Sequence, residues 1–201
     1  MRVAVRAFGV ALIGLAAVIG AQAAWIPAKA ALAQLLLEEA WGRSQRGSER
    51  PAPWPWADAW PVARLVAPEQ GESLIVLSDA SGRSLAFAPG HLSGTARPGS
   101  PGTSVVAGHR DTHFAFLRSL TPGDPLLVVT RDGETLRYRV VETAVVHAHD
   151  TRVAADTGVD RLALVTCWPF DAVRPGTDLR YVVLAERDPA RRWSRLARQR
   201  T

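Results

Sequence analysis

The sequence predicts a mainly β domain with one or two short helices, carried behind an apolar N-terminal helix that spans a membrane. Ala7 to Ile26 is a run of twenty residues whose only strongly polar side chain is Gln22, long enough to cross a bilayer as a helix. From Val62 onward, short β-branched and apolar runs are separated by Gly, Pro and Asp turn chemistry, the signature of many short strands. In that second half only Phe114 to Leu120 has helical spacing, ended by Thr121-Pro122-Gly123.

Taken in order, residues 1–26 form a cytoplasmic tip and a transmembrane anchor. Arg2 and Arg6 precede the apolar run, and basic residues hold a helix start in the cytoplasm. Ala21-Gln22-Ala23 also fits a signal-peptidase site. The uncleaved anchor is preferred because the run continues into Trp25 and Ile26, and an aromatic suits a membrane interface. Either reading exports the rest of the chain.

Residues 27–61 read as a juxtamembrane helix and a linker. Ala28 to Trp41 has helix-forming composition, with Leu32, Leu35, Leu36 and Ala40 on one face. Gly42 to Pro61 turns polar and then rich in Pro and Trp, which suits an extended connection better than a helix or central strand.

Residues 62–187 form the domain. Its expected strands are Ala63 to Val66, Ser73 to Leu77, Leu85 to Phe87, Ser104 to Gly108, Leu126 to Thr130, Thr135 to Val146, Arg161 to Thr166 and Leu179 to Ala185. Asp132-Gly133 marks a hairpin between two of them. This many strands in one domain suits a closed barrel or a sandwich. Residues 188–201 form a basic tail, expected to be solvated and frayed; Trp193, Leu196 and Ala197 give it the alternative of touching anionic lipid.

Charge narrows the partners. The chain carries +5, but Arg2 and Arg6 contribute +2 and the tail from Asp188, with five arginines, contributes +4. The body is therefore close to neutral and lacks the electrostatic footprint of a nucleic-acid-binding face. Cys167 is the only cysteine, so no disulfide forms within the chain, and an unpaired exported thiol invites a functional explanation.

Three positions carry candidate chemistry. Cys167 ends the apolar strand Leu162 to Thr166, and His109 ends Val105-Val106-Ala107-Gly108. Arg180 interrupts the apolar strand around it, where a charge must be paired, reach solvent or serve a site. A cysteine nucleophile needs a neighbouring base or cation, and His91, His109, His113, His147 and His149 are the available imidazoles. Spacing alone leaves open whether Cys167 is a nucleophile or a small core filler. His109, His113, His147 and His149 also sketch a metal constellation, but no carboxylate stands at a spacing that completes it.

The segment "VVAGHRDTHFAFLRSL" from Val105, then "GDPLLVV" and "LALVTCWPF", resembles the sortases, cysteine transpeptidases of the bacterial envelope. The match covers roughly Val62 to Arg187, and length and anchor look like the class found in Gram-negative proteobacteria. The resemblance implies an eight-stranded β-barrel. It also implies a catalytic set of Cys167, His109 and Arg180, with Arg174 the competitor for the arginine, and Thr166 and Trp168 in contact with substrate. The implied substrate is a protein with a C-terminal LPxTG-like sorting signal, joined to an amine acceptor through a thioester on Cys167; water as acceptor would make the enzyme a processing peptidase. No cofactor is implied, and no acidic cluster reproduces the calcium site of some members, so no metal is expected. Asp58-Ala59-Trp60 loosely resembles the lid of pilus-building sortases. An L,D-transpeptidase is disfavoured because Trp168 and Pro169 follow the cysteine where that family has another pattern. A non-catalytic exported β-domain is the rival of a different class.

Overall fold

The computed structural model describes residues 28–155, 157–172 and 176–188, together with Ile19 and Trp25. The expected anchor apart from those two residues, the basic tail beyond Asp188, and Arg174 fall outside the described residues. Among the described residues no helix is long and apolar enough to cross a membrane.

Eight strands form a closed barrel. They are β1 (Pro61–Ala67), β2 (Glu72–Leu77), β3 (Gly90–His91), β4 (Thr103–Ala107), β5 (Pro125–Thr130), β6 (Thr135–His147), β7 (Arg161–Trp168) and β8 (Leu179–Arg187). Their order around the barrel is β1-β2-β3-β4-β7-β8-β6-β5, closed by antiparallel pairing of β5 with β1. Two neighbouring pairs are parallel, β2 with β3 and β4 with β7. Inward residues of period two, among them Leu65, Val106, Leu126, Tyr138, Leu164 and Val183, fill the interior. Phe114 and Leu117 join that core from a 3₁₀ turn at Ala115–Ser119, so the expected helix at 114–120 is shorter and tighter than a regular one. The β5–β6 hairpin turns through Gly133 at φ 78°, the left-handed conformation that an Asp-Gly pair supplies.

The third strand differs from expectation. Leu85 to Phe87 is not a strand: Gly82–Leu85 is a single helical turn, capped by the Ser81 hydroxyl accepting from the Ser84 N–H. Asp79 reinforces the cap, accepting from the Ser81 N–H at 2.7 Å and the Ser84 hydroxyl at 3.1 Å. A three-residue apolar run has no period of its own, so the cap decides. The real strand is Gly90–His91, and it passes so close to its neighbour that a Cβ on Gly90 would lie 2.0 Å from the Asp79 carbonyl oxygen.

The chain is helical over 28–45, here α1, and its buried face only partly matches the expected one. Leu32 and Leu35 are exposed, while Ala33, Leu37, Ala40 and Trp41 are buried. Leu37 and Trp41 pack with Ile75 and Leu77 of β2, so α1 lies on the outside of the barrel. Arg64 of β1 fixes the orientation, ion-paired to Glu38 and lying over the Trp41 ring. The Pro- and Trp-rich stretch after α1 is folded onto the domain and is no free tether. Ala59 is buried, Trp54 meets the Phe87 ring at 4.8 Å, and the Trp60 N–H donates to the Ser78 hydroxyl. Asp58 of the lid-like triplet pairs with Arg83 at the exposed surface.

Candidate active site

Strand register assembles the site. Cys167 of β7 is directly paired with Arg180 of β8, and residues opposed in an antiparallel pair share a face. On the other side, β4 runs parallel to β7 with Ala107 opposite Val165. His109 lies two residues beyond Ala107 and Cys167 two beyond Val165, so the pleat directs both to the same face at the same end. That face is the outside of the barrel, because Leu162, Leu164 and Val183 take the inward positions of the same strands. Cys167 is half-buried with a free thiol, His109 is exposed, and register sets the strand ends that carry the three expected residues side by side.

Arg180 is held at its strand end, where Nη1 donates to the carbonyls of Thr177 at 2.6 Å and Leu179 at 2.9 Å. The turn carrying His109 is held more heavily. The Gly108 N–H donates to the Val165 carbonyl, and the Thr166 hydroxyl donates back to the Gly108 carbonyl at 2.7 Å. The Phe114 N–H closes the turn on the His109 carbonyl. Gly108 is required by close approach: a Cβ there would stand 2.8 Å from the Phe114 ring.

The two expected substrate contacts do not fit their side chains. Thr166 is buried at 2% exposure and its hydroxyl is engaged by Gly108, so it positions the histidine turn. Trp168, also one residue from Cys167, falls by strand alternation on the opposite face. Its ring stacks on Tyr181 at 5.6 Å and meets Phe170 edge-on, closing the end of the barrel in an aromatic cluster. Sequence reasoning missed this cluster and missed Arg110, whose side chain is buried and donates to the Ala172 carbonyl at 2.6 Å. The signal for Arg110 was present: a charged residue directly after the strand-end histidine.

The other histidines have different surroundings. His147 of β6 is paired with Leu179 of β8, on the far side of β8 from Cys167. His91 is buried, its Nε2 between the Ala96 carbonyl at 2.9 Å and the Thr95 hydroxyl at 3.0 Å. His113 lies against the Phe87 carbonyl and near His109. Among the described residues no three metal-ligating side chains gather. A concavity of about 590 Å³ is lined by Arg43 and residues 48–55, Arg50 and Trp54 among them, and Cys167 is not part of its lining. Over the outer face of β4 runs the β6–β7 connection, tied by Thr103 donating to the Ala155 carbonyl. Its turn at Thr151–Ala154 is capped by Asp150, whose carboxyl is held down to about 2 by hydrogen bonds from Arg152.

A pH dependence follows from the buried imidazoles. Burial pushes His91 below its ordinary 6.5, with Arg97 adding to this and the bonds at Ala96 and Thr95 opposing it. Burial likewise lowers His113, the neighbouring His109 adding and the Phe87 carbonyl opposing. In both cases the unfolded chain takes up the proton first as pH falls. Their contribution is whole above about 6.5 and is lost as pH falls from there through the folded values. We therefore expect the thermal midpoint to decline between pH 7.5 and 5.5, and the decline to be shallower in His91→Gln; equal slopes in parent and variant would remove His91 from this account.

The sequence comparisons agree with the geometry. The model of the Sortase domain matches residues 65–188. Sortase D of Bacillus subtilis is 30% identical over 124 residues, 61% of this chain, and the match spans 62% of that relative's length. Among solved structures, sortase C-1 of Actinomyces oris is 35% identical with a TM-score of 0.58, covering 64% of this chain and 75% of that one. Sortase A of Corynebacterium diphtheriae is 26% identical with a TM-score of 0.59, covering 80% and 87%. The Sortase domain is matched over more than half of the chain, and the fold is the closed eight-stranded barrel seen here, so the chain belongs to the sortase family.

Proposed function

We propose that this protein is a membrane-anchored sortase that cleaves an LPxTG-like signal near the C-terminus of a substrate protein and transfers the acyl group to an amine. The observation that carries the reading is the convergence of Cys167, Arg180 and His109 on one outer face through the β4–β7–β8 register. The Cys167 thiolate attacks the carbonyl carbon of the motif's threonine, and the C–N bond to the next residue breaks. His109 gives a proton to the departing amine, leaving a thioester. An incoming amine then attacks the thioester, His109 takes its proton, and the thiolate leaves. Arg180, always cationic, stabilises the oxyanion that forms in each step. The Ala7 to Ile26 segment, behind Arg2 and Arg6, supplies the anchor and sets the catalytic domain outside the cytoplasm at the inner membrane. The proteobacterial class belongs to this proposal on the strength of the apolar N-terminal segment.

The test is intact mass of the full chain in detergent after incubation with LPxTG-like and LPxTA-like peptides. An adduct of the acyl mass, released by hydroxylamine and absent from Cys167→Ala, is the expected result. No adduct with any peptide, together with a thiol that resists alkylation in the folded protein, would make Cys167 a filler and end the reading.

A further inference from the structure

The proposed chemistry needs His109 and Cys167 at a fixed separation, yet His109 lies beyond the last paired residue of β4. On its N-terminal flank the turn is clamped by Thr166 donating to Gly108. On its C-terminal flank stands Arg110, only 9% exposed. A charged side chain is not withdrawn from water without a partner that repays desolvation, and Arg110 donates through Nη2 to the Ala172 carbonyl at 2.6 Å. Ala172 belongs to the loop that leaves Cys167, whose own turn closes by the Ala172 N–H donating to the Pro169 carbonyl. The residues on either side of the histidine are thus tied to segments on either side of the cysteine.

We propose that Arg110 is a positioning residue of this active site: it ties the turn carrying His109 to the loop leaving Cys167 and so sets the approach of imidazole to thiol. The proposal rests on the sortase reading for its acyl-transfer readout. A lysine reaches the same carbonyl only as a flexible point charge, without the planar fork that holds one geometry.

The experiment compares the full chain with Arg110→Met, Arg110→Lys, His109→Ala and the His109→Ala/Arg110→Met double variant, each checked for its thermal midpoint. Two rates are read: acylation by the most reactive peptide, and alkylation of Cys167 by iodoacetamide across pH. We expect Arg110→Met to slow acylation about 10- to 100-fold, as a misplacement of about 1 Å does, with Arg110→Lys in between. The alkylation profile should move toward that of His109→Ala, and Arg110→Met should cost the His109→Ala background no more than about twofold. A folded variant with the parent's alkylation profile, or the same fold loss in both backgrounds, overturns the proposal. If Arg110→Met does not fold, Arg110→Lys decides by the same criteria. A parent chain that no peptide acylates sinks the sortase reading, while the alkylation comparison still judges the clamp.

Discussion

Replacing His109 by alanine lowers the rate of peptide acylation of Cys167 by roughly 10²- to 10⁴-fold, the range that a positioned acid–base group contributes. Stability should change little, because the ring is exposed and its removal opens no cavity. The turn that carries it is held by the backbone of Gly108 and Phe114 and by Thr166, none of which depends on the imidazole. His113, four residues on, is the natural control. It is half-buried and lies against the Phe87 carbonyl, so His113→Ala should lower the thermal midpoint more than the rate. The reverse pattern, with His113→Ala inactive and His109→Ala near parental rates, would move the acid–base role to His113. Single-turnover acylation followed by mass spectrometry separates the two.

Gly108→Ala should damage fold and chemistry together. The added methyl would stand 2.8 Å from the Phe114 ring, and that ring is fully buried in the barrel core. Retreat is blocked, since the Gly108 N–H and carbonyl are both bonded to β7. Overpacking of this kind costs about 1–3 kcal/mol, which for a chain of this size lowers the thermal midpoint by roughly 2–12 °C. The backbone shift that relieves the clash is inherited by the next residue, His109, so acylation should also fall by at least about tenfold. Pairing it with Phe114→Leu, which removes ring atoms from the point of contact, should recover part of both losses. A midpoint and a rate equal to the parent's in Gly108→Ala would show that the contact with Phe114 is slack.

The strands of five or more residues are all legible in the sequence, because β-branched runs bounded by Gly, Pro and Asp mark them. β3 is not, since Gly90–His91 is two residues long and owes its place to Gly90 fitting against the Asp79 backbone. The helix over 28–45 is legible as a helix but not in its orientation. Leu32 and Leu35 are as apolar as Leu37, and only the surface presented by β2, with Arg64 reaching Glu38 and Trp41, decides which leucines are covered.

At the site the division is similar. By itself the sequence offered the candidate groups: a single cysteine at the end of an apolar strand, a histidine at the end of another, and an arginine inside a third. It could do so because strand ends and breaks in apolar pattern are local features. Only the tertiary structure decided that β4 lies parallel to β7 and β7 antiparallel to β8, pairings between segments far apart in the chain. Those pairings put Cys167, Arg180 and His109 on one face. They turn Thr166 and Trp168 to the other, although both adjoin Cys167 in sequence. They also bring the Ala172 carbonyl within reach of Arg110, a contact no local pattern encodes. Neighbours along a strand point apart and neighbours across strands point together, so composition names the chemistry and register assembles it.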